Sequence, residues 1–136
     1  MRYPLDELLD KRSIIQLKIE RIDDSEDRKR LIKEFNDYTF AISDYINEKI
    51  CTREQAEEWH KNLYDANGKT WDLESKIRKG QIGDLSLEEV GKTAIEIRES
   101  NGSRVRIKSD IVDKTGIGYR DIKINHASEK DYKSTP

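Results

Sequence analysis

Cysteine and proline are nearly absent from this 136-residue chain, and long apolar runs are missing altogether. The single cysteine, Cys51, excludes an internal disulfide and has no feature that marks it as catalytic. No stretch approaches the roughly 20 apolar residues that cross a bilayer, and the first residues lack the apolar core of a signal peptide. We therefore expect a soluble, cytoplasmic protein with no membrane association.

Apolar residues are also scarce, at 34% of the chain, whereas charged residues reach 40%. A composition with so much surface and so little core favours elongated helices and a core completed by a second chain. We therefore expect a homodimer. The chain has 26 basic and 28 acidic residues, a net charge of −2, so it lacks the basic excess that is typical of nucleic-acid binders.

The phase of the apolar residues predicts four helices, at about 4–22, 26–49, 52–80 and 86–114. Capping boxes mark the starts of the third and fourth, at Thr52 with Gln55 and at Ser86 with Glu89. Gly116 is placed to end the fourth. The heptad-like spacing runs unbroken through both Asn-Gly pairs, which favours continuous helices over hairpin turns.

The expected fold is all-α: antiparallel helical hairpins or a bundle of about four helices, with an extended C-terminal arm. The helical domain should cover residues 1–118. The stretch 119–136 alternates imperfectly at first and then becomes polar, so we expect an extended or partly disordered arm.

An apolar stripe in the fourth helix turns polar halfway along. Its first half recurs at spacings of three and four, which predicts a buried face made of Leu87, Val90, Ala94 and Ile97. The same phase continues through Asn101, Arg104 and Lys108. Because a buried charge is costly unless it is paired or solvated, these side chains need partners.

Further polar residues stand in or beside the seams of the first and third helices. Together they define a predicted buried network or ligand site made of Arg12, Asn67, Trp71, Glu74, Arg98, Asn101, Arg104 and Lys108. In a closed network, Glu74 would be the counter-charge for the basic residues and the set would fix helix register. In an open pocket, Arg12, Arg104 and Lys108 would hold a phosphate or carboxylate.

Other chemical signatures are incomplete. Glu57 and His60 have the spacing found in carboxylate-bridged di-metal bundles, but a second Glu-x-x-His is missing, so we expect no metal and interpret His60 as a surface residue. The Gly-Lys-Thr triplets at 68–70 and 91–93 lack the upstream glycine and strand of a phosphate-binding loop. No catalytic residue or cofactor is predicted, and whether the chain is an enzyme stays open.

Three blocks of the sequence resemble a small bacterial and phage-borne family of unknown function. The first block is similar to the family's "LxDKxxIxxxKxxRI" and the last to "AxxIRxxNxxRxxLKxxI". The residues that carry the resemblance are Leu8, Leu9, Asp10, Lys11, Ile14 or Ile15, Lys18, Ile19 and Ile22, then Asn67, Trp71, Asp72, Glu74, Ile77 and Arg78, then Ala94, Ile97, Arg98, Asn101, Arg104, Val105, Lys108 and Ile111. Arg12 departs from the pattern. The resemblance implies no reaction or cofactor.

Two functions fit these observations. The first is a non-enzymatic module for assembly or partner binding, whose buried polar residues set the register of its helices. The alternative is a binding protein or enzyme for a small anionic ligand such as a phosphorylated sugar or nucleotide.

Overall fold

The computed structural model describes residues 2–81, 83 and 85–119, with the backbone alone for 79–81. It contains four helices: α1 (Leu5–Arg21), α2 (Ser25–Asn47), α3 (Arg53–Gln81) and α4 (Leu87–Thr115). The predicted all-α fold is confirmed. Among the described residues, no helix is both long and apolar enough to pass through a membrane. The predicted arm, 119–136, lies outside the described residues apart from Tyr119, and the domain limits stay a prediction.

Side-chain caps begin the second and third helices. Asp24 accepts hydrogen bonds from the backbone N–H groups of Glu26 and Asp27, both at 3.0 Å. The capping box predicted at Thr52 is present: Thr52 Oγ1 accepts from the Gln55 N–H at 3.1 Å, and Gln55 Oε1 accepts from the Thr52 N–H at 2.9 Å. These bonds satisfy donors that a helix leaves unpaired in its first turn.

The ends of α4 also follow the prediction. Ser86 Oγ accepts from the Glu89 N–H at 3.2 Å, although the Glu89 carboxylate accepts from the Ser86 hydroxyl and not from its backbone. Gly116 closes the helix with φ +70°, a left-handed conformation that glycine adopts without a steric penalty.

Both Asn-Gly pairs lie inside continuous helices, as predicted. Gly68 faces α1, since a Cβ atom there would lie 3.4 Å from Leu17 Cδ2, an ordinary van der Waals distance. Gly102 has no such neighbour on another helix, since the closest atom to its missing Cβ belongs to Arg106.

The first helix lies at the centre of the molecule together with α3, because it packs against α2, α3 and α4, just as α3 packs against α1, α2 and α4. It is antiparallel to α2, with the Tyr45 hydroxyl donating to the Tyr3 carbonyl at 2.6 Å. α3 and α4 form a second antiparallel hairpin, and α2 does not contact α4 within the described part of the chain. The core where these helices meet consists of Leu5, Leu8, Leu9, Ile42, Tyr45, Cys51, Ala56, Trp59, Leu63 and Ile111.

The buried face predicted for the first half of α4 is wrong. Leu87 is 92% exposed and Ala94 is exposed, while Val90 and Ile97 are only half-buried. The buried residues of this half are Thr93 and Ser100, and the Ser100 hydroxyl donates to the carbonyl of Ala66 in α3 at 3.0 Å. Within the described residues, the stripe stays partly exposed because α1, which packs on this side of α4 further along, ends at Arg21.

The central position of α1 predicts that its apolar contacts dominate stability. We expect Leu9→Ala, at a fully buried position, to lower the free energy of unfolding by about 2–5 kcal/mol. Ile95→Ala, at a position 58% exposed on α4, should change it by less than about 0.5 kcal/mol. Urea denaturation measures both, and equal losses would contradict the proposed centre.

Candidate functional site

A buried carboxylate on α1 joins the first helix to the fourth. Asp10 is 1% exposed and accepts from Arg104, with Nε at 3.0 and 3.1 Å from its two oxygens and Nη2 at 2.5 Å. Burial alone would raise the pKa of Asp10, but the hydrogen bonds from Arg104 and Asn67 outweigh it and hold the pKa below its ordinary value. Asp10 is therefore ionised and paired at neutral pH.

Asn67 of α3 completes the coordination of Asp10. Its Nδ2 group donates to Asp10 Oδ1 and to Ser13 Oγ, both at 2.9 Å. Ser13 in turn donates to the backbone carbonyl of Asp10 at 2.7 Å. Three helices are thus connected through one carboxylate, with Asp10 on α1, Asn67 on α3 and Arg104 on α4.

A second ion pair lies one turn away, between Lys108 of α4 and Glu7 of α1. Beside it, Asp6 is buried, and its Oδ1 is the one buried side-chain oxygen or nitrogen without a partner among the described residues. Burial, and then the negative charge of Glu7, raise the pKa of Asp6. Burial at this end of the network therefore disfavours the ionised form of Asp6.

Arg12 lies on the opposite side of α1 and is 3% exposed. Its guanidinium donates to His60 Nδ1 at 3.0 Å, to Thr39 Oγ1 at 3.2 Å and to Glu57 Oε1 at 3.2 Å. It also lies 5.5 Å from the centre of the Phe35 ring. Burial lowers the pKa of Arg12 while Glu57 opposes that shift, and the group stays cationic.

His60 is buried, so the interpretation of it as a surface histidine is wrong. Because Nδ1 accepts from Arg12, the proton of the neutral ring is on Nε2, which donates to Gln16 Oε1 at 2.6 Å. Burial and then the positive charge of Arg12 lower the pKa of His60 from 6.5 to about 4. Both ring nitrogens are occupied, and the imidazole is neutral at physiological pH.

An open groove of about 560 Å³ runs along this side of the molecule, between α1, α2 and α3. Its charged residues are mainly acidic, since only Lys61 offsets three carboxylates. Tyr64 donates to one of these, Glu20, at 2.5 Å. The lining residues are Gln16, Ile19, Glu20, Phe35, Glu57, His60, Lys61, Tyr64 and Asp65.

The structure brings together half of the residues predicted from the sequence. Arg12, Asn67, Arg104 and Lys108 all have buried or half-buried side chains that contact α1 or belong to it. Trp71 is half-buried, with the Arg21 guanidinium 5.5 Å from its ring. The remaining three, Glu74, Arg98 and Asn101, are exposed and take no part in the buried network.

The predicted counter-charge was also wrong. Glu74 does not pair with the buried basic residues; the carboxylates that do are Glu7, Asp10 and Glu57. Glu7 has the sequence signal of a helix-dipole partner in a first turn, and Asp10 lies off the apolar stripe of α1. Neither feature of the sequence distinguishes an acidic residue on the surface from one that pairs with a basic residue of another helix.

No family model, curated protein or solved structure matches the chain. The family resemblance noted in the sequence therefore adds no support to the site. Within the described residues, no group of three or more histidine, cysteine or acidic side chains is arranged to hold a metal ion.

The Asp10–Arg104 pair generates a stability prediction with a pH signature. Arg104→Gln leaves a buried carboxylate without its cation, so we expect a loss of about 3 kcal/mol at pH 7. Because the pKa of Asp10 is lowered in the fold, the pair stabilises above the ordinary aspartate value, and this contribution is lost as pH falls through the folded pKa. The cost of the substitution should therefore shrink in acid.

The matched control for that substitution is Arg21→Gln. Arg21 pairs with Asp72 at the same 2.5 Å distance, but both partners are exposed to solvent. Its replacement should cost less than about 1 kcal/mol and show no comparable pH dependence. Urea denaturation from neutral to acid pH tests both variants, and equal costs would contradict the assignment.

His60 should make the fold sensitive to mild acid. A folded pKa of about 4 against an ordinary value of 6.5 means that the unfolded chain binds the proton first. This stabilisation is complete above pH 6.5 and is lost as pH falls towards 4, by roughly 3 kcal/mol in total.

The measurement for His60 is the difference in unfolding free energy between wild type and His60→Gln across this range. The difference removes the contributions of other groups, including Asp6, whose raised pKa acts in the opposite direction. If the unfolding free energy of the variant depends on pH as steeply as that of wild type, the assignment to His60 is wrong.

Proposed function

We propose that this chain is a non-enzymatic helical module for assembly or partner binding, in which the polar network around α1 sets the register of the helices. One observation carries the proposal: each basic residue placed to bind an anion already has a carboxylate partner in the chain. Arg12 pairs with Glu57, Arg104 with Asp10, and Lys108 with Glu7. Buried polar groups that satisfy one another are well suited to specifying register.

The groups that would serve catalysis are not poised for it. Both ring nitrogens of His60 are engaged and its pKa is lowered, so it is a poor acid-base catalyst near neutral pH. Cys51 is buried, and burial raises the pKa of its thiol, which disfavours the reactive thiolate. These features support a role in binding over a role in catalysis.

The surface supports partner binding. Phe40 is 75% exposed and Leu87 is 92% exposed. Exposed apolar residues become informative when they extend a stripe, since such patches mark interaction sites. A second copy of the chain, the homodimer expected from the composition, is the simplest partner, and the cytoplasm is its expected location.

A small anionic ligand has weaker support. The basic residues proposed to hold it have intramolecular acidic partners, and the groove between α1, α2 and α3 has three carboxylates around a single lysine. An anion entering either place would have to displace a carboxylate or approach one closely, and both are unfavourable.

A thermal-shift experiment separates the two functions. We expect inorganic phosphate, adenosine monophosphate and glucose 6-phosphate to leave the Tm of wild type unchanged. Lys108→Met should lower it by about 3–6 °C, the effect of roughly 1 kcal/mol in a small domain, because Glu7 loses its partner beside Asp6.

The control for this experiment is Lys33→Met, which removes an exposed pair with Asp37 and should leave Tm nearly unchanged. A phosphorylated compound that raises the Tm of wild type but not that of Lys108→Met would overturn the proposed function in favour of an anion site.

A further inference from the structure

The hairpin of α3 and α4 continues beyond the end of α1. The last residue of α1, Arg21, pairs with Asp72, and α3 extends from there to Gln81, about 13 Å further along the helix axis. The first half of α4, from Leu87, runs beside this extension. Since α2 makes no contact with α4 within the described residues, one side of the projecting hairpin has no helix packed on it.

The uncovered side of α4 is continuous with its interface to α1. At about 100° per residue, Val90, Ile97 and Lys108 fall within about 20° of one another around the helix. Lys108 contacts Glu7 of α1, whereas Val90 and Ile97 are half-buried and lie towards the end of α4 that extends beyond α1. Leu87 and Ala94 extend this apolar stripe and are exposed. This side of α4 is therefore covered by α1 near Lys108, whereas near Leu87 the same side is apolar and exposed.

The neighbouring surface of α3 is polar and charged. Trp71, Glu74 and Arg78 fall within about 60° of one another, close to the direction of Asn67, which contacts α1. Trp71 is half-buried, and Glu74 and Arg78 are exposed. Glu74 and Arg78 have opposite charges one turn apart, so the surface is complementary to its own antiparallel copy.

We infer that this hairpin face, defined by Leu87, Val90, Ala94 and Ile97 of α4 with Trp71, Glu74 and Arg78 of α3, binds the same face of a second copy around a two-fold axis. The inference rests on the proposed assembly function and names its partner and surface. Two hairpins joined in this way form a four-helix bundle. The α4 stripes meet at its centre, and Glu74 of each chain lies opposite Arg78 of the other.

The size of the face sets the strength of the interaction. The face extends from Leu87 to Ile97 on α4, a length of roughly 15 Å, and two adjacent helices make it about 20 Å wide. Its projected footprint of roughly 300 Å² is below the roughly 600 Å² per partner at the lower limit of stable interfaces. The dimer should therefore be weak, with a dissociation constant of roughly tens of micromolar.

Sedimentation of the full chain from about 1 to 100 µM tests the interface. Wild type should pass from monomer to dimer over this range. The double variant Leu87→Glu/Ala94→Glu should weaken association at least about tenfold, because four carboxylates would enter an apolar contact. Both positions are exposed, so the monomer should keep its fold, which circular dichroism checks.

The control is Ile95→Glu, which introduces one carboxylate per chain, against two in the double variant, at a position one residue after Ala94 and about 100° away around α4. Ile95 is exposed and outside the proposed face, so its replacement should change the dissociation constant less than about twofold. Equal weakening by both variants, or a wild type that stays monomeric at the highest concentration, would overturn the inference.

Charge reversal tests the two-fold arrangement itself. Glu74→Arg and Arg78→Glu should each weaken self-association, because like charges then face one another. An equimolar mixture of the two variants should associate again, since the acidic face of one chain meets the basic face of the other. If the mixture fails to associate, the two-fold arrangement is wrong. The same failure is expected if the chain's own residues after 119 cover the face.

The outcomes also separate this inference from the proposed function. A monomeric wild type that no phosphorylated compound stabilises would reject the homodimer and leave partner binding in place. Stabilisation by such a compound through Lys108 would reject the assembly function whatever the oligomeric state.

Discussion

A buried carboxylate on the central helix constrains the whole arrangement. Asp10 is shielded from water, so it depends on Arg104 and Asn67 for its charge to be tolerated. Those partners come from α4 and α3, and their geometry allows little sliding of either helix along α1. A shift of one turn moves a side chain about 5.4 Å, which breaks every bond to Asp10. The ion pair therefore specifies which helices meet and in what register, even though apolar contacts supply most of the stability.

The same constraint accounts for the polar character of α1. This helix contacts three others, yet it buries Asp6, Asp10, Arg12 and Ser13 together with its leucines. An apolar residue at each of these positions would avoid the free-energy cost of burying a polar group. It would also allow the helices to pack in many alternative registers. With a low share of apolar residues in the chain, directional hydrogen bonds compensate by making the correct alignment distinct from its competitors.

The sequence predicts the apolar packing of α3 and α1 better than their buried polar residues. Trp59, Leu63 and Leu73 of α3 recur at helical spacing and are buried, as are the leucines of α1. Each of these helices contacts all three others, so a single apolar stripe does not identify Asp10 as buried, and the side chains around His60 come from residues distant in the chain. The stripe beginning at Leu87 has the periodicity of a buried face, but periodicity does not reveal that α1 ends before reaching it.

The Asp10–Arg104 bond also spans 94 positions of sequence. When a ribosome has released α1, the acidic side chain that later sits in the core must still be hydrated, because its cation has yet to be synthesised. α1 and α2 can form a local hairpin early, but the central helix can be desolvated completely only after most of α4 has emerged. Long-range closure of this kind slows folding, since chain entropy is lost before the contact stabilises the structure. The Asp10–Arg104 ion pair therefore forms late in folding, and the core cannot be completed until the last helix is available.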